Sequence, residues 1–283
     1  MTVTDAELST LAASHDIISL GMAADDVRRG RHAMRATFVR VFDVDAMPGS
    51  PVSVPQTAGE VRIVGTPASA AAAVDRVREV VAAAGGTPVS AFSLADLEHL
   101  AAAEHVPLRN LLEDLEKAGL ELVAEAPFDQ LRDPRLAIEE TNIAGLSVAR
   151  LTVHALPSAD VVALYKQIAA LEHQVGVLRA FAPLPRVVNP AVPTTGYDDV
   201  RRVALARLFV QNIPSIQVDW SLYGSKLAQV ALTVGADDLD AVSPIDDLAE
   251  GRRRAPLEEV CRNIRAASLD PVERNGRFDI RTA

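Results

Sequence analysis

The sequence has almost none of the residues from which metal centres and disulfides are built. Cys261 is the only cysteine in 283 residues, so an internal disulfide is excluded. One thiol also excludes an all-cysteine metal or iron–sulfur site built from this chain alone. Walker phosphate loops, nucleophile elbows and zinc-site spacings are absent as well. The sequence therefore predicts no metal site.

Excess positive charge and long apolar runs are missing too. The chain has 28 Lys and Arg against 38 Asp and Glu, a net charge of -10. Because phosphate binding rests on an excess of Lys and Arg, we expect no nucleic-acid partner. No run reaches the roughly 18 apolar residues of a membrane span, and MTVTDAELSTLAASHD at the N-terminus has no apolar signal core. The expectation is a cytoplasmic protein without a membrane span.

What the chain does contain is a regular alternation of short strand-like and helix-like segments. Hydrophobic residues make up 49% of it, which is ample for a core. Seven of the eight predicted strands are followed by a helix, and the first is followed by the loop DAMPGSPVSVPQTAG. The predicted strands are 35–44, 60–65, 88–93, 121–127, 146–156, 175–184, 215–220 and 237–243.

Eight βα units in this length predict an α/β fold, a (β/α)8 TIM-type barrel with an N-terminal helical extension. A doubly wound open sheet is the alternative. No break in composition indicates a second domain. We therefore expect one barrel domain over 1–283, with N-terminal helices in 1–33 and the barrel in 34–283.

Polar residues alternate with apolar ones along several predicted strands. In a barrel the outer face packs on helices, so the polar alternates are expected to point inward. His154 and Asp219, near strand ends, are the candidate catalytic acid or base. The candidate ligand-binding residues are Arg62, Ser90, Glu125, Arg150, Thr152, Arg179, Gln217 and Asp240.

These inward charges have two explanations, and buried charges need partners in both. They pair with each other, for example Arg150 or Arg179 with Asp219 or Glu125. Alternatively, the arginines face a carboxylate or phosphate on a small anionic ligand. For His154 a purely structural hydrogen bond is the competing interpretation.

Acidic residues cluster at and after the eighth strand. They suit a divalent cation, which prefers oxygen ligands, but an acidic solvated loop is the favoured interpretation. The residues are Asp237, Asp238, Asp240, Asp246, Asp247 and Glu250.

Several longer stretches resemble one enzyme family. They resemble the radical SAM enzymes of the futalosine route to menaquinone, namely aminofutalosine synthase and dehypoxanthine futalosine cyclase, with the related deazaflavin (FO) synthase. The resemblance spans most of the chain and implies a barrel. The stretches are ISLGMAADDVRRGRHAMRATFVRV (18–41), FSLADLEHLA (92–101), LLEDLEKAGLELV (111–123), FAPLPRVVNP (181–190), TTGYDDVRRVALARLFVQNIPSIQVDW (194–220), GSKLAQVALTVGADDLDAV (224–242) and DPVERNGRFD (270–279).

The chain departs from that family where its cofactors bind. The family carries CxxxCxxC in the loop after the first strand, holding a [4Fe–4S] cluster that cleaves S-adenosylmethionine, whereas this loop has no cysteine. The family's PGGGAE-like stretch is replaced by VAEAPFD at 123–129, and its GADDLDGT reads GADDLDAV. We therefore expect neither the cluster nor S-adenosylmethionine as a cofactor.

Two functional hypotheses follow. The first is a cluster-less paralogue, a pseudoenzyme that binds a carboxylated aromatic or nucleoside-like metabolite, or forms a homo-oligomer or a complex with an active homologue. The second is a cofactor-independent enzyme of menaquinone biosynthesis, of lyase or hydrolase type, that uses the same pocket.

Overall fold

A computed structural model describes residues 10, 12–47, 49, 51–155, 160–187, 194–246 and 255–281. Their central feature is a closed barrel of eight parallel strands. Strand follows strand in chain order, and the last barrel strand pairs back with the first, Thr37 opposite Asp238. The predicted (β/α)8 barrel is confirmed, and the open-sheet alternative is excluded by this closure.

The strands are β1 (Arg35–Asp45), β2 (Glu60–Val64), β3 (Val89–Ser93), β4 (Leu122–Pro127), β5 (Ser147–Val148), β6 (Leu151–Val153), β7 (Ala180–Pro185), β8 (Ser215–Asp219), β9 (Asp238–Val242) and β10 (Asp270–Arg274). β5 and β6 are two halves of the fifth barrel strand, which is interrupted at Ala149 and Arg150.

The helices surrounding the barrel are α1 (Ile17–His32), α2 (Ala70–Ala84), α3 (Leu94–Ala103), α4 (Leu108–Lys117), α5 (Pro134–Ile143), α6 (Val161–Val175), α7 (Gly196–Phe209), α8 (Trp220–Leu232) and α9 (Pro256–Ala266). Of the predicted N-terminal helical extension, α1 is described, while residues 1–9 and 11 lie outside the described part of the chain.

Local sequence explains where the helices begin and end. Ser69 accepts a hydrogen bond from the Ala72 amide at the start of α2, and Gly85 ends that helix in a left-handed conformation. Thr195 and Asp198 form a reciprocal capping box on α7. Such caps fix where these helices begin and end.

The described residues between β1 and β2 form no helix. In this loop Val52 and Val54 are half-buried against the core. Thr57 fixes the loop, because its hydroxyl donates to the Pro244 carbonyl and its own carbonyl accepts from Arg281 at 2.9 Å. This is the loop that the proline-rich sequence predicts.

The N-terminal end of the barrel is closed by the C-terminal segment. β10 pairs with the first half of β1, Arg35 opposite Asp270. A Cβ on Gly276 would lie 3.1 Å from the Glu60 side chain, so the backbone after β10 packs tightly against the bottom of the barrel. Sequence patterning predicted only a polar tail here, because this strand carries little apolar side chain.

The sixth barrel strand begins later than predicted. It starts at Ala180, since Val175 still belongs to α6. Phe181 packs edge-on against Tyr165 of α6, with ring centroids 5.7 Å apart, so Phe181 faces the helices. Arg179 precedes β7, is exposed, and donates to the Arg277 carbonyl of the C-terminal segment at 2.7 Å. The prediction that Arg179 points into the barrel is wrong.

Among the described residues, no helix is both long and apolar enough to cross a membrane.

Candidate functional site

The barrel interior is filled by ion pairs stacked along its axis. Deepest, near the N-terminal end, Asp238 accepts two hydrogen bonds of 2.6 Å from the Arg274 guanidinium. Gln217 donates to the same carboxylate at 2.7 Å and Thr37 at 2.5 Å. This group ties β1, β8 and β9 to the C-terminal segment, so its role is structural.

A second ionic group lies one layer higher and is centred on Asp240, which is almost fully buried. Asp240 accepts from Arg62 at 2.9 Å and also from Arg150. Glu60 bonds the other side of Arg62 at 2.9 Å and accepts from Ser90 at 2.6 Å. Burial opposes the charge of Asp240, but Arg150 and Arg62 hold its pKa well below its ordinary range.

The third group lies at the C-terminal mouth. Arg186 donates to Asp219 at 2.6 Å and lies 3.2 Å from a Glu125 carboxylate oxygen. Asp219 also caps α8, accepting from the Leu222 amide at 2.9 Å and the Ser221 hydroxyl at 3.0 Å. With these bonds made, Asp219 has little capacity left to act as a general base.

Beside this mouth opens a cavity of about 660 Å³, within the roughly 300–1,000 Å³ of small-molecule sites. Its walls are the C-terminal ends of β1 and β9, the first turns of α8 and the start of α9. α8 is broken at Gly224, whose φ of +75° is not helical, and this break lies on the cavity wall. Trp220, the only tryptophan of the chain, also lines it.

Asp43, near the end of β1, contributes a carboxylate to the lining of this cavity. No hydrogen bond or ion pair joins its side chain to another described residue. The carboxylate is exposed to the solvent of the cavity, yet protein surrounds it on most sides because the cavity is concave. This burial raises the pKa of Asp43, while the nearby Arg62 opposes the rise.

Ala241 lies on the same wall in the left-handed region, with a φ of +56°. The strand is irregular at this point, because two steps along β1, from Phe38 to Arg40, are matched by three along β9, from Leu239 to Val242. An alanine in this conformation is strained, since its Cβ crowds the backbone. The position is the one at which the related sequences described above have glycine.

The variant Ala241→Gly is therefore expected to be more stable than the parent, by roughly 0.5–1 kcal/mol. Chemical denaturation measures the difference. The matched control is Ala170→Gly, an exposed position within α6, which is expected to lose roughly 1 kcal/mol. Equal losses in the two variants would show that Ala241 is not strained.

The structure brings most of the predicted ligand residues together, but as partners of one another. Arg62, Ser90, Arg150 and Asp240 share the middle group, Gln217 lies in the lowest, and Glu125 and Asp219 lie at the mouth. Pairing within the barrel thus accounts for seven of the ten candidates, although Arg150 pairs with Asp240 rather than with Asp219 or Glu125. Arg179 lies outside, where it donates to the Arg277 carbonyl at 2.7 Å.

Thr152 and His154 occupy the remaining predicted positions. The Thr152 hydroxyl is buried without a hydrogen-bond partner among the described residues. His154 is half-buried after β6, and its backbone amide is held by Asp129 at 2.7 Å. The structure therefore gives His154 a fixed backbone but no described side-chain partner that would support a catalytic role.

The acids of the eighth barrel strand are structural in the described part of the chain. Asp237 pairs with the buried Arg207 and accepts from Ser215 at 2.8 Å. Asp246 pairs with Arg40 at 3.0 Å. Asp247 and Glu250 lie outside the described residues. The residues described contain no cluster of His, Cys, Asp and Glu suited to a metal ion.

Sequence reasoning missed two residues of this region, Asp43 and Arg186. Asp43 continues the inward-facing alternation of Val39 and Val41, and this was the signal available for it. Arg186 follows β7 directly in a proline-rich stretch, where no periodicity predicts the direction of its side chain.

A [4Fe–4S] cluster does not fit this arrangement. The loop after β1 offers no thiolate, and it is packed against the core and bonded to Pro244. Cys261 is half-buried on α9, where burial raises the pKa of its thiol, so the thiolate needed as a ligand is disfavoured. One thiol cannot replace the cysteines that hold such a cluster.

Comparison with solved structures supports the barrel fold. Methylornithine synthase (PylB) superposes with a TM-score of 0.68 at 13% identity, covering 96% of this chain and 94% of that one. The FeFe-hydrogenase maturase HydG from Carboxydothermus hydrogenoformans gives 0.64 at 12%, covering 94% and 75%. At these identities the likeness establishes the fold alone.

Sequence comparison gives the particular relationship. Residues 182–283 match the CofH/MqnC C-terminal region. Aminodeoxyfutalosine synthase of Thermus thermophilus is 27% identical over 238 residues, 72% of this chain and 63% of the relative. Cyclic dehypoxanthine futalosine synthase of Streptomyces coelicolor is 25% identical over 216 residues, 68% and 54%.

A third relative is named for a different reaction. The 5-amino-6-(D-ribitylamino)uracil–L-tyrosine 4-hydroxyphenyl transferase of Archaeoglobus fulgidus is 26% identical over 223 residues, 68% of this chain and 64% of the relative. The chain is thus a homologue of aminofutalosine synthase, cyclic dehypoxanthine futalosine synthase and FO synthase-like enzymes, and the predicted resemblance is confirmed. It spans less than two thirds of the length of each of these three relatives.

Proposed function

We propose that this chain is a cluster-less relative of the futalosine-pathway radical SAM enzymes, which binds a small aromatic or nucleoside-like molecule without radical chemistry. The observation that carries the proposal is the cavity of about 660 Å³ at the C-terminal end of the barrel, with Trp220 in its wall and the Asp43 carboxylate, which has no partner among the described residues, in its lining. In TIM barrels this end is the one that binds ligands.

Two features of the chain support a loss of radical chemistry. The loop after β1 carries no cysteine, and its described residues do not form the crossover helix that normally follows a barrel strand. Most of the interior charges, in contrast, are paired with an opposite charge, which preserves the scaffold. A barrel of this kind retains a cavity while lacking the ligands of the cluster.

A second candidate function, a cofactor-independent enzyme in the same cavity, is favoured by Asp43. A carboxylate near the end of a barrel strand, with a pKa raised by burial, accepts a proton more readily than an ordinary carboxylate. Asp219 is less suited, because Arg186, Ser221 and the α8 cap occupy its oxygens. This candidate predicts turnover in addition to binding.

The binding proposal is tested with the fluorescence of Trp220, which reports on the cavity because the chain has no second tryptophan. Purine nucleosides and hydroxybenzoates are titrated, and at least one is expected to change the emission saturably. Ser225→Phe fills the cavity and is expected to abolish the change. Lys226→Phe, at the exposed next position, is the control and is expected to preserve it.

Saturable binding that survives Ser225→Phe, or no binding by any compound of the panel, would contradict the proposal.

A further inference from the structure

We infer that the cavity beside Trp220 selects an aromatic ligand that carries a positive charge, such as an arylalkyl amine, and discriminates against carboxylates. This inference rests on the proposed function, because it specifies the ligand class of that same cavity. It departs from the anionic ligand that the arginine-rich strands led us to expect.

The arginines of the barrel interior and mouth already have carboxylate partners. An arginine recognises an anion with its N–H groups, so those groups must be available. Arg62 and Arg150 are committed to Glu60 and Asp240. Arg186, at the mouth, is committed to Asp219 and Glu125. An anionic ligand would have to compete with these carboxylates for the three arginines, although the Nε of Arg150 has no hydrogen-bond partner among the described residues.

The described wall of the cavity is acidic. Its described lining contains two carboxylates, Asp43 and Glu259, and no Lys, Arg or His. Neither carboxylate has a hydrogen bond or ion pair among the described residues. Two acids without a described partner give this concave wall a negative charge, which disfavours an incoming anion. A cation would relieve both charges.

The cavity wall also has an aromatic surface. Trp220 and Phe42 both line the cavity and are half-buried, so part of each ring faces open space. An aromatic ring stacks on such a surface, and a cation is attracted to the face of an indole. Acidic and aromatic groups on one wall therefore suit an aromatic ring with a protonated amine.

The electrostatic surroundings of Asp43 set the pH range of this selectivity. Arg62 and Arg150 favour its charged form, whereas burial, Asp240 and Glu60 disfavour it, and Glu259 faces the same cavity from α9. The balance raises the pKa of Asp43 above its ordinary value of 3.8. The preference for a cation is thus expected to fall as acid protonates Asp43.

The test is a matched series of 3-phenylpropylamine, 3-phenylpropanamide and 3-phenylpropionate, which share the ring and chain and differ in charge. Each is titrated into the full chain while Trp220 emission is excited at its red edge. The amine is expected to bind at least about tenfold more tightly than the carboxylate, with the amide between them. Added salt is expected to narrow the difference.

Variants separate the cavity acids from general charge. Asp43→Asn and Glu259→Gln, which keep side-chain size, are each expected to reduce the preference for the amine several-fold. Asp114→Asn, which removes an exposed carboxylate paired with Lys117 on α4, is expected to leave it unchanged. Circular dichroism confirms that each variant is folded.

Binding of the carboxylate as tight as that of the amine would overturn the inference and leave the proposed function standing. Failure of the amine to bind at all would also overturn it. Loss of the proposed function is a separate result, because it requires that the nucleoside and hydroxybenzoate panel fails as well.

Discussion

Asp240→Asn is expected to lower the free energy of unfolding by about 3–5 kcal/mol, the usual cost of breaking a buried ion pair from one side. Asp240 is the carboxylate shared by Arg62 and Arg150 inside the barrel. Arg62 retains Glu60 in the variant, but Arg150 has no other carboxylate partner among the described residues. An uncompensated guanidinium would then remain buried. Urea denaturation followed by circular dichroism measures the loss.

The control for this prediction is the exposed pair of Asp75 and Arg78 on α2. Asp75→Asn removes the same chemical group from a carboxylate that is 76% exposed, and is expected to change stability by less than about 1 kcal/mol. The double variant Arg150→Met, Asp240→Asn is expected to be more stable than Asp240→Asn alone, because it removes the stranded charge. A loss below about 1 kcal/mol in Asp240→Asn would contradict the account of the middle ionic group.

The same pairing fixes the direction of the pH dependence. The folded-state pKa of Asp240 lies below its value in the unfolded chain, owing to the two arginines. The stability that it contributes is therefore fully present above its ordinary value of 3.8, and is lost only as pH falls towards the much lower folded-state pKa. Asp43 has a raised pKa and the opposite sign, so its charge is a cost that disappears in acid.

The barrel could be predicted from sequence because each strand and helix carries its own periodicity. The eight strands and the loop between β1 and β2 follow from β-branched runs, helical patterns and three prolines. β10 was not predicted as a strand, because DPVER is a short segment with one β-branched residue and no apolar alternation. Its pairing with β1 is a long-range contact that local patterning does not contain.

The direction of the polar residues was harder to predict, because it depends on what fills the barrel. On β7 the small residues Ala180 and Ala182 alternate with Phe181, which packs outward on Tyr165. We attribute the small inward residues to the long Arg150 and Arg186 side chains that occupy the interior nearby. The sequence of a single strand does not show that side chains from other strands already fill the barrel interior.

The GADDLD segment shows how a family motif divides into structural parts. Gly235 allows close packing, since a Cβ there would lie 2.8 Å from the Arg207 Cβ. Asp237, Asp238 and Asp240 each neutralise a different buried arginine. The scaffold function of this segment therefore persists in a chain that lacks the cluster cysteines.

The proposed loss of radical chemistry is tested most directly by whether the chain can hold an iron–sulfur cluster. The purified protein is incubated anaerobically with ferrous iron and sulfide, desalted, and assayed for iron, sulfide and visible absorbance. The aminodeoxyfutalosine synthase of Thermus thermophilus, treated identically, serves as the comparison. We predict background iron in this chain, because its only thiol lies on α9 and is half-buried. Recovery of one [4Fe–4S] cluster per chain would contradict the account.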